Sequence, residues 1–164
     1  MMLENKVAVV TGAGRGIGLR PGAEPVGGKA ANRAMSSTRG RGARGQARSR
    51  PASLPTPSAS EGASVVVNDF GVAVDGSQPS DGPASEVVAE IEKAGGKAVS
   101  NFDSVATMDG GEAIIRTALD KFGKIDILVC VAGILRERMI FNMPEEDWDA
   151  VIATHLKGHF ACMK

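Results

Sequence analysis

The stretch Lys6-Val-Ala-Val-Val-Thr-Gly-Ala-Gly-Arg-Gly-Ile-Gly18 decides the fold. Its first six residues form a short apolar run rich in β-branched side chains, the mark of a strand buried in a parallel sheet. Gly12, Gly14, Gly16 and Gly18 follow, at the point where a helix should open. Glycine there lets backbone approach a pyrophosphate, and the N–H groups of an opening helix bind its charge. In isolation the same pattern also suits a plain Gly-rich turn, so its neighbours have to carry the argument.

Immediately downstream the pattern breaks. Residues 20–60 contain Pro21, Pro25, Pro51, Pro55 and Pro57 and the run Arg39-Gly-Arg-Gly-Ala-Arg-Gly45, without apolar periodicity. Such a segment buries too little apolar area to offset its chain entropy, so a disordered insert is expected in place of the first crossover helix. Charge marks the same boundary. Residues 19–60 hold seven Arg and one Lys against one Glu, a net +7, and the rest of the chain carries −7. The division is thus residues 1–19 for the first strand and Gly-rich loop, 20–60 for the insert, and 61–164 for the remainder.

From Glu61 onward the periodicity is regular. Ala63–Asn68 reads as a second buried strand ended by Asp69, and residues 71–83 as a polar loop. Pro83 suits a helix first turn, Val87, Val88, Ile91 and Ala94 make an apolar stripe, and Gly95-Gly96 stops it. Lys97–Asn101 is a third strand, and Ile114, Ile115, Ala118, Leu119 and Phe122 mark the next helix face. Ile125–Val131 is a fourth, very apolar strand. Pro144 and three acidic residues open a last helix bearing Trp148, Val151, Ile152, Leu156 and Phe160. Strands alternating with helices predict an α/β fold, a Rossmann-like parallel sheet joined by right-handed crossovers.

Globally the chain has 19 basic and 19 acidic residues, a balance that favours neither nucleic acid nor membrane surfaces. No run approaches a membrane span and no secretory leader is visible. With two cysteines, Cys130 and Cys162, the simplest expectation is a cytoplasmic protein with free thiols.

These residues resemble the short-chain dehydrogenase/reductase family. Thr11-Gly-Ala-Gly-Arg-Gly-Ile-Gly18 matches that family's Thr-Gly-x-x-x-Gly-x-Gly, and Val129-Cys-Val-Ala-Gly133 its Asn-Asn-Ala-Gly segment. Within the family, Val-Asn-Asp-Phe-Gly at 67–71, Asn-Phe-Asp-Ser-Val at 101–105 and Ala-Gly-Ile-Leu-Arg-Glu-Arg at 132–138 resemble the hydroxyacyl-CoA dehydrogenase part of peroxisomal multifunctional enzymes of type 2 and their bacterial relatives. The resemblance covers residues 3–18 and 61–164. It implies NAD-linked oxidation of a secondary alcohol, a 3-hydroxyacyl thioester or a hydroxysteroid, by a parent that is usually homo-oligomeric. It also implies cofactor contacts at Gly12, Arg15, Gly16, Ile17, Gly18, Asp69, Asp103, Ser104, Ala132 and Gly133. Independently of the family, a carboxylate ending the second strand can accept hydrogen bonds from ribose hydroxyls and repels a 2′-phosphate, so Asp69 favours NAD over NADP. An Asn-Asp turn after a strand is the bland alternative.

Three departures follow. The family's catalytic Ser and Tyr-x-x-x-Lys are absent, and the 164 residues contain no tyrosine at all. A tuned phenol is hard to replace as the base that takes the alcohol proton, so no dehydrogenase turnover is expected, and the chain reads as the amino-terminal half of such an enzyme. The Asn-Asn pair is Cys130-Val131, and the first crossover helix is lost to the insert, which is expected to impair binding. His155 stands where most of the family has the fourth catalytic residue, Asn, and completes no catalytic set here. His155, His159 and Cys162, spaced i, i+4 and i+7, could share a helix face, but ordinary helix side chains explain them better than a metal site. Two other functions remain: a nucleotide-binding module without chemistry, and an RNA-binding arm at Arg39–Gly45, disfavoured because no aromatic residues interleave.

Overall fold

The computed structural model describes residues 2–14, 55–71 and 82–164. Arg15, Gly16, Ile17 and Gly18, residues 20–54 of the insert with its Arg-Gly run, and loop residues 72–81 lie outside the described residues.

Four parallel strands form one sheet in the order β3-β2-β1-β4: β1 (Val7–Thr11), β2 (Ser64–Asn68), β3 (Lys97–Asn101) and β4 (Ile127–Cys130). β1 lies between β2 and β4, with Val9 opposite Val66 on one side and Leu128 on the other. All five β1 residues are buried, as are Val65, Val66 and Val67 of β2. Their β-branched side chains fit a pleated surface covered on both faces, which is why the sequence shows continuous apolar runs rather than alternation.

Helices cover both faces. α2 (Gly82–Lys93) follows β2, and α3 (Met108–Phe122) follows β3. Val87 and Ile91 of α2 pack with Val10, Val65 and Val67 on one face, and Ile114 and Ala118 of α3 pack with Val7, Val9 and Val66 on the other. The Thr107 side chain caps α3 by accepting from the Gly110 N–H at 3.1 Å. At its end Gly123 adopts the left-handed conformation, its N–H donating to the Leu119 carbonyl.

One boundary differs from the reading of composition. Pro55–Ser60, assigned to the insert, is a helix, α1, and Ala59 is buried in the cluster with Ala63, Val65 and Ile91. Prolines at 55 and 57 fall in the first turn, where backbone N–H groups have no intrahelical partner, so the composition that argued against order is compatible with a helix start. α1 occupies the place of the last turn of a crossover helix and leads through Gly62 into β2.

The chain ends in α4 (Glu145–Ile152), a π-helical turn at Ala153–Lys157, and α5 (Gly158–Met163). The expected apolar stripe of this segment is largely uncovered among the described residues: Trp148 is 53% exposed, Leu156 68% and Phe160 55%. Only Gly158, Ala161 and Cys162 of α5 are buried. Among the described residues β4 is an edge strand, paired with β1 alone, and all four of its residues are only half-buried.

Candidate functional site

Open α/β sheets bind ligands outside the carboxyl ends of their strands, where the order of strands reverses. Here that point is between β1 and β4, and the sequence-identified residues in the described part gather along that edge: Gly12 after β1, Asp69 after β2, Asp103 and Ser104 after β3, Ala132 and Gly133 after β4.

Gly12 is held in contact with the β4 loop. Its φ is +64°, and a Cβ there would lie 2.5 Å from the Ala132 Cα and 2.8 Å from the Ala132 N. Both the backbone conformation and the close approach exclude a side chain. Thr11, fully buried, completes the junction: its hydroxyl accepts from the Val131 N–H at 3.2 Å and the Ala132 N–H at 3.3 Å. Sequence reasoning passed over Thr11 as the last residue of a strand.

Asp69 is 8% exposed and binds backbone with both oxygens. Oδ2 accepts from the Gly14 N–H at 2.6 Å, and Oδ1 from the Gly71 N–H at 2.8 Å. The second bond is the Asx turn expected of an Asn-Asp pair after a strand. The first joins β2 to the Gly-rich loop across 55 residues of sequence.

Asp103 is exposed but held by a polar network that sequence reasoning missed. The Asn68 side-chain amide donates to Asn101 Oδ1 at 2.8 Å and to the Asp103 carbonyl at 2.9 Å. The Asn101 amide in turn donates to Asp103 Oδ2 at 2.7 Å and to the Thr117 hydroxyl at 3.0 Å. Asn68 and Asn101 are register partners at the ends of adjacent strands, a pairing invisible until the register is known. Ser104 turns its hydroxyl onto its own loop, accepting from the Ala106 N–H at 3.3 Å.

His155 lies in the π-helical turn, exposed, with its ring over Gly133: a Cβ on that glycine would lie 2.6 Å from the imidazole Cε1. Its Nε2 is 3.1 Å from the Ile134 N and 2.9 Å from the Ile134 O, and the tautomer sets which of the two it engages. Turns of this kind occur often at functional sites. The turn also breaks the spacing that would align His155 with Cys162. Cys162 is buried in the cluster with Val7, Val9 and Val66, whereas His155 is exposed, and His159 Nδ1 faces the His155 carbonyl.

A short chain dehydrogenase family model matches residues 60–164. The chain belongs to the short-chain dehydrogenase family. The family match begins after the Gly-rich strand, but β1 sits in register between β2 and β4, which places Thr11 and Gly12 in the family's sheet. Peroxisomal multifunctional enzyme type 2 of Mus musculus is 48% identical over 102 residues, 62% of this chain and 14% of that protein. The hydroxyacyl-CoA dehydrogenase ChsB1 of Mycobacterium tuberculosis is 44% identical over 99 residues, 60% of this chain and 30% of that protein. Among solved structures, a short chain dehydrogenase from Mycobacterium avium superposes with a TM-score of 0.70 at 43% identity, over 99% of this chain and 45% of that one. The chain therefore spans less than half the length of each of these relatives.

Proposed function

We propose that this chain is a nicotinamide-dinucleotide-binding short-chain dehydrogenase fragment that takes NAD in preference to NADP. Its parent activity is oxidation of a secondary alcohol, a 3-hydroxyacyl thioester or a hydroxysteroid. The observation that carries the reading is Asp69: a carboxylate at the end of β2, fixed by two backbone amides, at the ligand edge of a parallel sheet. A fixed carboxylate accepts from vicinal ribose hydroxyls and repels a phosphate in their place. Asp103, anchored through Asn101, bounds the adenine side. The close approach of Gly12 to Ala132 brings the ends of β1 and β4 together at the centre of the edge.

When bound, NAD supplies the acceptor for the alcohol's hydride. The matching base is missing, because the chain has no tyrosine. Its histidine at the family's Asn position, His155, engages the Ile134 backbone with its ring over Gly133. With one carboxylate-lined binding edge and no phenolic base, this chain binds dinucleotide without turning over substrate. The absent phenol equally favours the reading of a nucleotide-binding module without chemistry.

Calorimetric titration with NAD and NADP tests the reading. NAD should bind at least about tenfold more tightly, a difference of about 1.4 kcal/mol. Asp69→Asn should erase most of that margin, and 3-hydroxyacyl thioester with NAD should yield no NADH. An NADP preference, or binding unaffected by Asp69→Asn, overturns the cofactor assignment. A rate of NADH formation that follows the purified protein and falls with Asp69→Ala overturns the assignment as inactive.

A further inference from the structure

Two buried asparagines hold the exposed carboxylate of Asp103 from beneath. Asn68 and Asn101 are the last residues of β2 and β3, register partners, 1% and 6% exposed. Their neighbours dictate how the amides are turned. The Asp103 N–H can only donate, and it meets Asn101 Oδ1 at 3.0 Å, so the Asn101 nitrogen faces the other way. That nitrogen donates to Asp103 Oδ2 at 2.7 Å and to the Thr117 hydroxyl at 3.0 Å, whose own proton goes to the Ala113 carbonyl at 2.8 Å. Asn68 backs the arrangement from the adjacent strand, donating to Asn101 Oδ1 at 2.8 Å and to the Asp103 carbonyl at 2.9 Å. The N–H, the carbonyl and Oδ2 of Asp103 are thus each held. Its Oδ1 has no hydrogen-bond partner among the described residues, on a side chain exposed at the ligand edge.

We propose that Asn101, backed by Asn68, is a positioning residue that sets base selectivity at this edge: it fixes which atom at position 103 faces the base, and so selects a 6-aminopurine over a 6-oxopurine. This rests on the reading of the edge as a dinucleotide site. A carboxylate only accepts. Held by Oδ2, it offers Oδ1 to an exocyclic amine and meets a 6-oxo group acceptor against acceptor. An amide at position 103 would be turned in the same sense. The Asn101 nitrogen commits one hydrogen to Thr117 and offers the other to position 103, so it takes the amide oxygen. The amide nitrogen is then left outward, a donor that suits a 6-oxopurine. A side chain free to rotate would show no such reversal, because either end of the amide could turn to the base. Both asparagines are buried and hydrogen-bonded throughout, so the arrangement exists before a ligand arrives.

Calorimetric titration of the whole chain with NAD and with nicotinamide hypoxanthine dinucleotide reads the selectivity, since the two ligands differ only in the purine. The unsubstituted chain should favour NAD by about tenfold or more, the worth of one hydrogen bond to a charged group. Asp103→Asn, close in shape and exposed, should reverse the preference to about threefold or more for the hypoxanthine dinucleotide. Adding Asn101→Ala should abolish that reversal, and Asn101→Ala alone should cut the NAD preference to about threefold or less. A pair that served stability alone would lower both affinities together and leave the ratio unchanged. Equal affinities in the unsubstituted chain, an NAD preference kept by Asp103→Asn, or a ratio untouched by Asn101→Ala with unchanged circular dichroism each overturn the assignment. If Asn101→Ala does not fold, the Asp103→Asn result decides, because that variant leaves the buried pair intact. A chain that binds neither dinucleotide overturns the dinucleotide reading and this assignment with it, an outcome distinct from binding without selectivity.

Discussion

Replacing Gly12 by alanine should uncouple β1 from the β4 loop, and the structure fixes how much that costs. At φ +64° a side chain costs about 1 kcal/mol in backbone conformation alone. The added Cβ would also stand 2.5 Å from the Ala132 Cα, where carbon atoms rest at about 3.5 Å or more, so the loop must retreat by about 1 Å. It cannot retreat freely. The Val131 and Ala132 N–H groups are tied to the Thr11 hydroxyl at 3.2 and 3.3 Å, and a further ångström breaks both bonds. Part-buried donors left without a partner cost about 1 kcal/mol each, at the low end for buried groups. The expected loss is about 3 kcal/mol, a large share of the 5–15 kcal/mol or so that stabilises an ordinary domain. Urea unfolding followed by circular dichroism measures it, and native-state hydrogen exchange should show faster exchange at Val131 and Ala132. A loss below about 1 kcal/mol with unchanged exchange at those amides would show that the contact is not the constraint described.

Two further outcomes are expected. Asp126 receives the Lys124 and Lys6 ammonium groups and the Val7 N–H, at 3.0, 3.2 and 2.9 Å. The Lys124 hydrogen bond, then the Val7 amide, hold its carboxyl at about 2, below the ordinary 3.8. A depressed carboxylate stabilises the fold fully above its unfolded value, and that contribution is lost as pH falls from about 4 through about 2. Urea midpoints in that window should fall more for the unsubstituted chain than for Asp126→Asn, and parallel curves would refute the linkage. The edge of β4, unpaired among the described residues, and the exposed Trp148, Leu156 and Phe160 should drive concentration-dependent self-association, seen in sedimentation and as a blue shift of Trp148 emission. Leu156→Lys with Phe160→Lys should weaken it about tenfold, and a strictly monomeric chain at all concentrations contradicts the reasoning.

Where local pattern dictates structure, the sequence was sufficient. Val7–Thr11 and Ser64–Asn68 are strands because runs rich in β-branched residues suit a doubly covered sheet, and α2 and α3 follow from their apolar stripes and glycine stops. Asp69, Asp103 and Gly133 were placed at the ligand edge because strand ends in a parallel sheet all face one way. What stayed hidden depends on contacts distant in sequence. The Asp69 bond to Gly14 spans 55 residues, and the Asn68–Asn101 pair requires the register of two strands. The helical turn at Pro55–Ser60 was obscured because a proline-rich composition cannot distinguish a helix start from a coil. The π-helical turn around His155 arises from no periodicity, since the segment reads as one continuous helix.

The substitution of the family's Asn-Asn pair by Cys130-Val131 bears on whether the site edge survives. If amide side chains alone fixed the β4 loop, a thiol and an isopropyl group would leave it unsupported. The structure assigns that support elsewhere. β4 keeps its full register with β1 through Cys130, whose partner is Thr11, and the Thr11 hydroxyl then takes the next two amides of the loop. Gly12 seals the junction by backbone contact, and His155 covers Gly133 from the helical side. Each of these restraints uses backbone groups of residues 127–134, so none depends on the identity of the side chains at 130 and 131. What the apolar pair changes is what lies beneath the loop: Val131 packs toward the α1–α2 cluster and Cys130 toward α5. The loop's position at the ligand edge is thus retained, while the polar groups that two asparagines would have presented there are replaced by packing into the two cores.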